Sequence, residues 1–552
     1  MGARAPETVL VNGKVLTVDD SFSVAEAVAI SGNRILAVGS SADVRALAGS
    51  GTDVVDLGGK TVIPGLIENH VHPVMASQSE VDEEIPDVNS LEELLNWVAS
   101  QASAKPAEAW IVHQKMFPTR LKEMRQPTLE ELDAVSPEHP VFLNGSYGGM
   151  VNTCAFKLNG VPEDSDHPGL LRNPKTGKRT GIIQRSAFQL IRGMPDHILT
   201  HKEKLDALEV MLKRYNQVGI TGVTDGILRG DGPRLYQDLR RAGRLTVRIN
   251  GNVGAPTFES EDQFQEALVT QGPYTNFGDE WFRIGALKWS MDGGILTGTA
   301  YLREPWGPNA QAIFGITDPN YRGVLNLSAD TLNRAFTLAN SYGWKVTAHC
   351  TGGGGVDMML DAFEAADAVR KIGPQRSSII HGNFFTPESI QRCARLGIIA
   401  DAQPAWFYKD ADAMQTILGP ERIKTFLPFR SLMDAGVVVC GGSDHMVKLD
   451  SYASINPYNP FLGMWTSITR QTQWGTTVVE SEAITREQGL RMYTINNAFG
   501  QFDEDIKGSL EPGKLADLVV LADDYLECTV DAIRDIQVVM TMVGGRWCTK
   551  HD

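Results

Sequence analysis

No stretch of this chain approaches the ~20 consecutive apolar residues that a membrane-spanning helix needs. The opening Met1-Gly2-Ala3-Arg4-Ala5-Pro6-Glu7 has no apolar core after its positive charge, so no signal peptide is expected. Pro6 stands where a myristoylation motif wants Ser or Thr. Cysteine is scarce: Cys154, Cys350, Cys393, Cys440, Cys528 and Cys548 are scattered, with no Cys-x-x-Cys pair. That usage excludes a disulfide scaffold and fits a cytoplasmic protein. Basic clusters are missing and the formal net charge is −16, which argues against nucleic acid or an anionic membrane as a partner. The acidity is read as solubility. No internal repeat is seen, and no low-complexity segment beyond Gly352 to Gly355.

What is present is a globular composition, 42% hydrophobic and 21% charged. At 552 residues the chain is too long for one simple core, so more than one domain is expected. Among its 11 histidines, His70 and His72 end the apolar run Thr61 to Pro73. This run reads as one buried strand entering a loop. Side chains alternate along a strand, so both imidazoles project to one side. Alone, the pair suits half a metal site or two satisfied loop histidines.

Further along, His349 closes 344–349, His381 closes 377–381, Asp444 closes 437–444 and Lys288 closes 282–288. Each is a short β-rich run with a potential ligand at its C-terminal end. Helical segments such as Asp330 to Tyr342 and Pro387 to Leu396 lie between them, and strands alternating with helices imply a parallel sheet. Three more runs, 219–224, 245–250 and 397–402, bring the count to the eight of a (β/α)8 TIM barrel, whose catalytic groups come from the C-terminal ends of several strands.

These residues resemble the amidohydrolase superfamily, and more narrowly the amidohydrolase 3 (YtcJ-like) family, which includes N-substituted formamide deformylases. The resemblance covers most of the chain. It rests on Pro64 to Pro73, Leu132 to Pro137 with Pro140 to Leu143, Gly219-Ile220-Thr221, Lys288 with Asp292-Gly293, His349, His381, Gly442-Ser443-Asp444, Tyr493 to Asn496, and Gly508 to Leu521. Two positions depart from the pattern. Relatives usually carry Asp-Arg where Gly353 and Gly354 stand, and often a His where Tyr147 stands.

The chain ends are β-rich. Val9 to Thr17 alternates around Asn12-Gly13, a hairpin signal, and Ala27 to Gly39 repeats it. Ala516 to Leu521, Ile536 to Met540 and Thr541 to Trp547 mirror it. Neither end can bury a core alone. A composite β-sandwich of residues 1–63 and 500–552 is therefore expected, beside a catalytic barrel of residues 64–499, and the resemblance implies the same. Residues 76 to about 215 exceed an ordinary βα connection and must hold an insertion over the barrel mouth, with a helix from Leu91 to Ser100 and a hairpin in 170–184. The glycine run 352–355 suits either close approach to a ligand or a flexible loop.

The resemblance implies a metal centre. His70, His72 and Asp444 would hold one divalent ion, and His349 and His381 a second. Lys288 would bridge them as a carbamate formed with carbon dioxide. Two ions sharing a water would make hydroxide at neutral pH, and Asp444 would carry a proton to the leaving amine. Zinc leads among the metals, with manganese, iron or cobalt also suited to such ligands.

Trp289, Trp306, Trp406, Phe407, Tyr408 and Trp465 follow strand ends and suggest an apolar or aromatic substrate. Asp292, Tyr147, His445 and Arg470 are further candidate contacts. The expected activity is hydrolysis of a small N-substituted amide. The alternatives are a cyclic amide, carbamate, urea or ester at the same site, or a metal-free ligand-binding barrel. A homodimer is expected from base rates.

Overall fold

The computed structural model describes residues 5–81, 83–146, 148–173, 175–194, 198–270 and 274–550. Eight parallel strands form one sheet in chain order: Leu66–Val71, Ile220–Leu228, Arg248–Gly254, Phe282–Ser290, Val346–Cys350, Ser378–His381, Ile399–Ala402 and Val439–Gly441. They are called barrel strands 1 to 8, and they lie on the eight expected segments. The sheet curls round until strand 8 meets strand 1, where the backbone N–H of Asp444 donates to His70 O (2.7 Å) and that of His72 to His445 O (2.8 Å). These closing bonds also fix three candidate ligands relative to one another.

The crossover helices form for local reasons. Ser328 caps Ala329–Ser341, and Thr386 caps Pro387–Leu396, which ends on Gly397 in the left-handed conformation. Their buried faces pack Leu332, Phe336, Ile390 and Cys393 into the principal hydrophobic cluster around the barrel. Among the described residues, no helix is long and apolar enough to cross a membrane.

The apolar run at 61–70 is not one strand. Thr61–Pro64 belongs to an outer sheet and Leu66–Val71 to the barrel, with the break at Gly65. A Cβ there would sit 2.3 Å from Thr221 Oγ1, so only glycine lets the chain pass so close to barrel strand 2. The outer sheet contains Lys14–Leu16, Val24–Ala25, Thr61–Pro64, Leu518–Leu521, Val538–Val543 and Arg546–Lys550; a second contains Thr8–Val11, Ala27–Ser31, Arg34–Gly39 and Asp53–Asp56. Residues of both sheets, including Leu10, Val28, Val62, Leu518 and Met542, share one buried cluster.

The hairpin expected around Asn12-Gly13 does not form. Thr8–Val11 and Lys14–Leu16 lie in different sheets. Asn12 adopts φ 58°, and a Cβ on Gly13 would meet Leu57 Cδ1 at 2.3 Å. The turn therefore transfers the chain between layers, driven by burial on both sides. The hairpin in 27–39 does form, as Ala27–Ser31 pairs with Arg34–Gly39.

Between barrel strands 1 and 2 the chain builds a separate five-stranded sheet of Ile111–His113, Val141–Asn144, Gly148–Val151, Leu170–Arg172 and Arg179–Gln184, with helix Leu91–Ala104 packed through Leu91, Leu94 and Val98. A buried ion pair clamps this insertion to the barrel. Arg120 Nε and Nη2 donate to Asp410 Oδ1 (2.7 Å) and Oδ2 (2.8 Å), and Asp410 lies on the helix following barrel strand 7.

Candidate metal centre and its cavity

His70 is near the end of barrel strand 1 and His72 is one residue past it. Their rings converge at 5.3 Å between centroids, nearly perpendicular. His381 meets His70 at 5.4 Å and His349 at 4.7 Å. Lys288 Nζ lies 3.2 Å from His70 Nε2. Asp444 Oδ1 is 3.4 Å from His70 Nε2 and 3.3 Å from His72 Nε2. Two ligand atoms each about 2.1 Å from a zinc ion, at tetrahedral angles, lie about 3.4 Å apart. Nitrogen and oxygen atoms of His70, His381 and Asp444 fall within 4.8 Å of one another, so the donor set fits a small divalent cation.

The electrostatics suit donors rather than acids. Burial lowers His70 to about 3 and His349 to about 4, and pushes His381 well below the usual range, so these imidazoles are neutral with a lone pair to give. Burial acts to raise Asp444, but hydrogen bonds from His70 and His72 override it and hold the carboxylate well below its usual range. Lys288 is lowered to about 8 by burial, against the pull of Asp444 and Asp401.

Neighbouring groups orient these side chains. His381 Nδ1 donates to Gln403 Oε1 (2.7 Å), and Gln403 Nε2 donates to Asp401 Oδ1 (3.1 Å), which turns His381 Nε2 inward. His349 Nε2 donates to Gly293 O (2.8 Å). His381 (φ 72°) and Asp444 (φ 58°) both adopt the left-handed conformation. Such backbone is uncommon for residues with side chains and gathers at functional sites. Gly226 packs against the first two imidazoles: a Cβ there would lie 2.6 Å from His72 Cε1 and 2.7 Å from His70 Cε1. Gln403 and Gly226 were missed from sequence, and the one available signal was their place at the ends of barrel strands 7 and 2.

Above these groups opens a cavity of about 430 Å3. Phe117, Phe188, Ile227, Trp289, Leu296 and Trp406 supply apolar wall, while Lys115, Asn144, Ser146, Arg229, Thr297 and Asn456 supply polar wall. Trp406 stacks on His381 at 4.4 Å.

Several expected contacts lie elsewhere. Trp306 is buried against Phe314 and donates to Ala300 O, away from the cavity. Trp465 packs near Tyr408 and donates to Asp531. Phe407 is covered by Phe426 and the Arg470 guanidinium. Arg470 itself is fully buried, donating to Leu427 O and Phe426 O. His445 sits behind the wall between Tyr215 Oη (2.9 Å) and Lys448 O (2.6 Å).

Asp292 is buried beneath the floor. It accepts from the N–H groups of Thr351, Gly352 and Tyr301 and approaches His349 Nε2 at 3.9 Å. It positions the loop after barrel strand 5 rather than lining the cavity. Tyr147 lies outside the described residues.

The glycine run is neither flexible nor a ligand cradle. Gly353, Gly354 and Gly355 open helix Gly353–Val369 and are buried. A Cβ on Gly353 would lie 2.2 Å from Arg303 Nη1. The space that a side chain at 353 would take is filled by Arg303, which pairs with Asp357 through two bonds of 2.7 Å.

The model of the amidohydrolase family matches residues 53–548. The chain belongs to the amidohydrolase family. This amidohydrolase is 30% identical to the N-substituted formamide deformylase of Arthrobacter pascens, over 98% of this chain and 97% of that protein. It is 28% identical to Protein LONG AFTER FAR-RED 3 of Arabidopsis thaliana, over 98% and 91% respectively. In fold it is similar to a metal-dependent hydrolase of uncharacterised function from Pyrococcus horikoshii, with a TM-score of 0.68 at 22% identity, covering 95% of this chain and 99% of that one. As a member of its family, this amidohydrolase is a hydrolase of carbon–nitrogen bonds.

Proposed function

We propose that this protein is a metal-dependent amidohydrolase that cleaves the C–N bond of a small N-substituted amide with an apolar or aromatic body. The observation that carries this reading is the convergence of His70, His72, Lys288, His349, His381 and Asp444 at the ends of barrel strands 1, 4, 5, 6 and 8, beneath one cavity. His70, His72 and Asp444 would hold one divalent ion. Lys288, as a carbamate formed with carbon dioxide and loss of one proton, would join His349 and His381 at a second. Zinc suits this nitrogen and oxygen set. The relative that deformylates N-substituted formamides supports the choice of amide. When bound, such an ion polarises the amide carbonyl and acidifies a water molecule.

The chain's own side chains do the rest. Asp444 takes a proton from the attacking water and delivers it to the leaving nitrogen. A C–O bond forms, the C–N bond breaks, and a carboxylate and an amine result. Gln403 holds the His381 ring in one tautomer, as Gly293 O does for His349. Trp289, Phe117, Phe188 and Trp406 exclude water and position an apolar substituent.

Elemental analysis of the wild type beside Lys288→Ala, followed by an amide, lactam, carbamate and ester panel, tests this reading. About two divalent metals per chain, falling in the variant, supports a carbamate-linked pair. No metal, with no activity on adding zinc, manganese or cobalt, overturns it.

A further inference from the structure

We infer that this amidohydrolase selects amides that also carry a carboxylate, and that Arg229 at the cavity mouth is the residue that recognises it. The inference rests on the amide-hydrolase reading and adds a substrate class to it.

The chain is acidic, with 67 Asp and Glu against 51 Lys and Arg, and several of its arginines are held by carboxylates. Arg125 pairs with Glu131, Arg244 with Asp206 and Glu209, Arg376 with Glu504, and Arg392 with Asp361 and Glu364. Arg229 is different. It follows barrel strand 2, is exposed, and lines the cavity. No described residue forms an ion pair or a side-chain hydrogen bond with its guanidinium. The nearest acid in sequence, Asp231, is engaged by Lys204 at 2.8 Å.

The rest of the lining has the same bias. Lys115, from the inserted segment, is a second cation on the wall and donates to Ser146 Oγ. Among the described lining residues Asp444 is the sole carboxylate, and it sits on the floor among the imidazoles. The cations of the upper wall, Arg229 foremost, thus stand apart from the anionic groups on the floor. A cation at the mouth concentrates anions relative to neutral competitors. Guanidinium is matched to carboxylate by its planar fork of donors. A substrate placing its amide on the floor, its aromatic or apolar body against Phe117 and Trp289, and its carboxylate at Arg229 would use all three surfaces. N-acyl derivatives of amino-substituted aromatic or apolar acids have that form.

The test compares two substrates differing in one group, N-benzylformamide and 4-(formamidomethyl)benzoate, on metal-loaded wild type, Arg229→Gln and Arg229→Lys. The wild type should favour the carboxylate substrate in kcat/KM by about ten- to a hundred-fold, as a charge-assisted hydrogen bond implies. Arg229→Gln should abolish that preference chiefly through KM, and Arg229→Lys should restore part of it. A merely structural role would lower both substrates alike and leave their ratio unchanged, which overturns the inference.

Calorimetry keeps the inference separable from the reading beneath it. If neither amide is cleaved, the N-substituted amide reading fails. Binding of 3-phenylpropanoate against 3-phenylpropanamide to the same proteins then decides this one. Carboxylate affinity at least about tenfold weaker in Arg229→Gln, with amide affinity unmoved, supports it. Equal carboxylate affinity in both proteins, as an anion held by the metal alone would give, overturns it.

Discussion

The floor of the cavity and its walls are held by different means. Floor residues sit on barrel strands or within three positions of their ends, where the backbone is tied across the sheet, as where Asp444 N–H bonds to His70 O. They are buried and oriented by neighbours such as Gln403 and Gly293. Most of the wall comes from long connections and the inserted segment, where Lys115 and Ser146 take left-handed backbone and where buried ion pairs, Arg120 with Asp410 and Lys448 with Glu80, fix the insertion. A ladder fixes atoms to within tenths of an ångström; a clamp fixes a segment. The floor is therefore suited to one reaction and the walls to choosing its substrate.

Changes to the floor should act on kcat and metal content, and changes to the walls on KM. The largest effect is expected for Asp444→Asn, which keeps the shape but removes the proposed proton carrier and a proposed charged ligand. kcat should fall by about 10²- to 10⁴-fold, and chelation of the wild type should abolish turnover. Activity that survives both would break the distinction.

Gly226→Ala comes next. Its Cβ would press on His70 and His72 at 2.6–2.7 Å, and a displacement of this kind can cost about a hundredfold in kcat. Circular dichroism should show an intact fold.

Gln403→Leu frees the His381 ring. Metal affinity should weaken by about 10- to 100-fold, as read by competition with a chelating dye. An unchanged affinity would show that strand geometry alone orients His381.

On the wall side, Asp410→Ala leaves the Arg120 charge buried and unpaired, a loss of about 3–5 kcal/mol in buried-pair systems. Urea unfolding should reveal it, with KM rising as Phe117 and Lys115 lose their anchor. The smallest effect on catalysis is expected for Arg470→Leu. It strands the Leu427 and Phe426 carbonyls, costs about 1–3 kcal/mol of stability, and leaves kcat/KM of the surviving folded protein unchanged.

The floor was legible in the sequence because its logic is local. A short apolar β-rich run followed by a loop marks a strand end, and a His, Lys or Asp there is a ligand candidate wherever the run lies in the chain. All six candidates come together beneath one cavity. The walls were not legible in this way. Trp306, Arg470 and His445 follow strands just as Trp406 does, yet they turn into the packing between helices and loops. Sequence position gives the end of the barrel, while rotation about a loop gives the face. The Asn12-Gly13 turn failed for a related reason: its residues specify a reversal, and burial decides which sheet receives the next strand.

What the sequence by itself determined was the barrel, its eight strands and which side chains stand at their ends, because periodicity and strand-end position are properties of short segments. Tertiary structure alone decided that Gly65 divides one apolar run between two sheets, that Arg303 fills the space beside Gly353, and that Arg229 faces the cavity with no carboxylate partner among the described residues. Each depends on atoms from distant segments meeting within a few ångströms, and no short stretch of sequence encodes such a meeting.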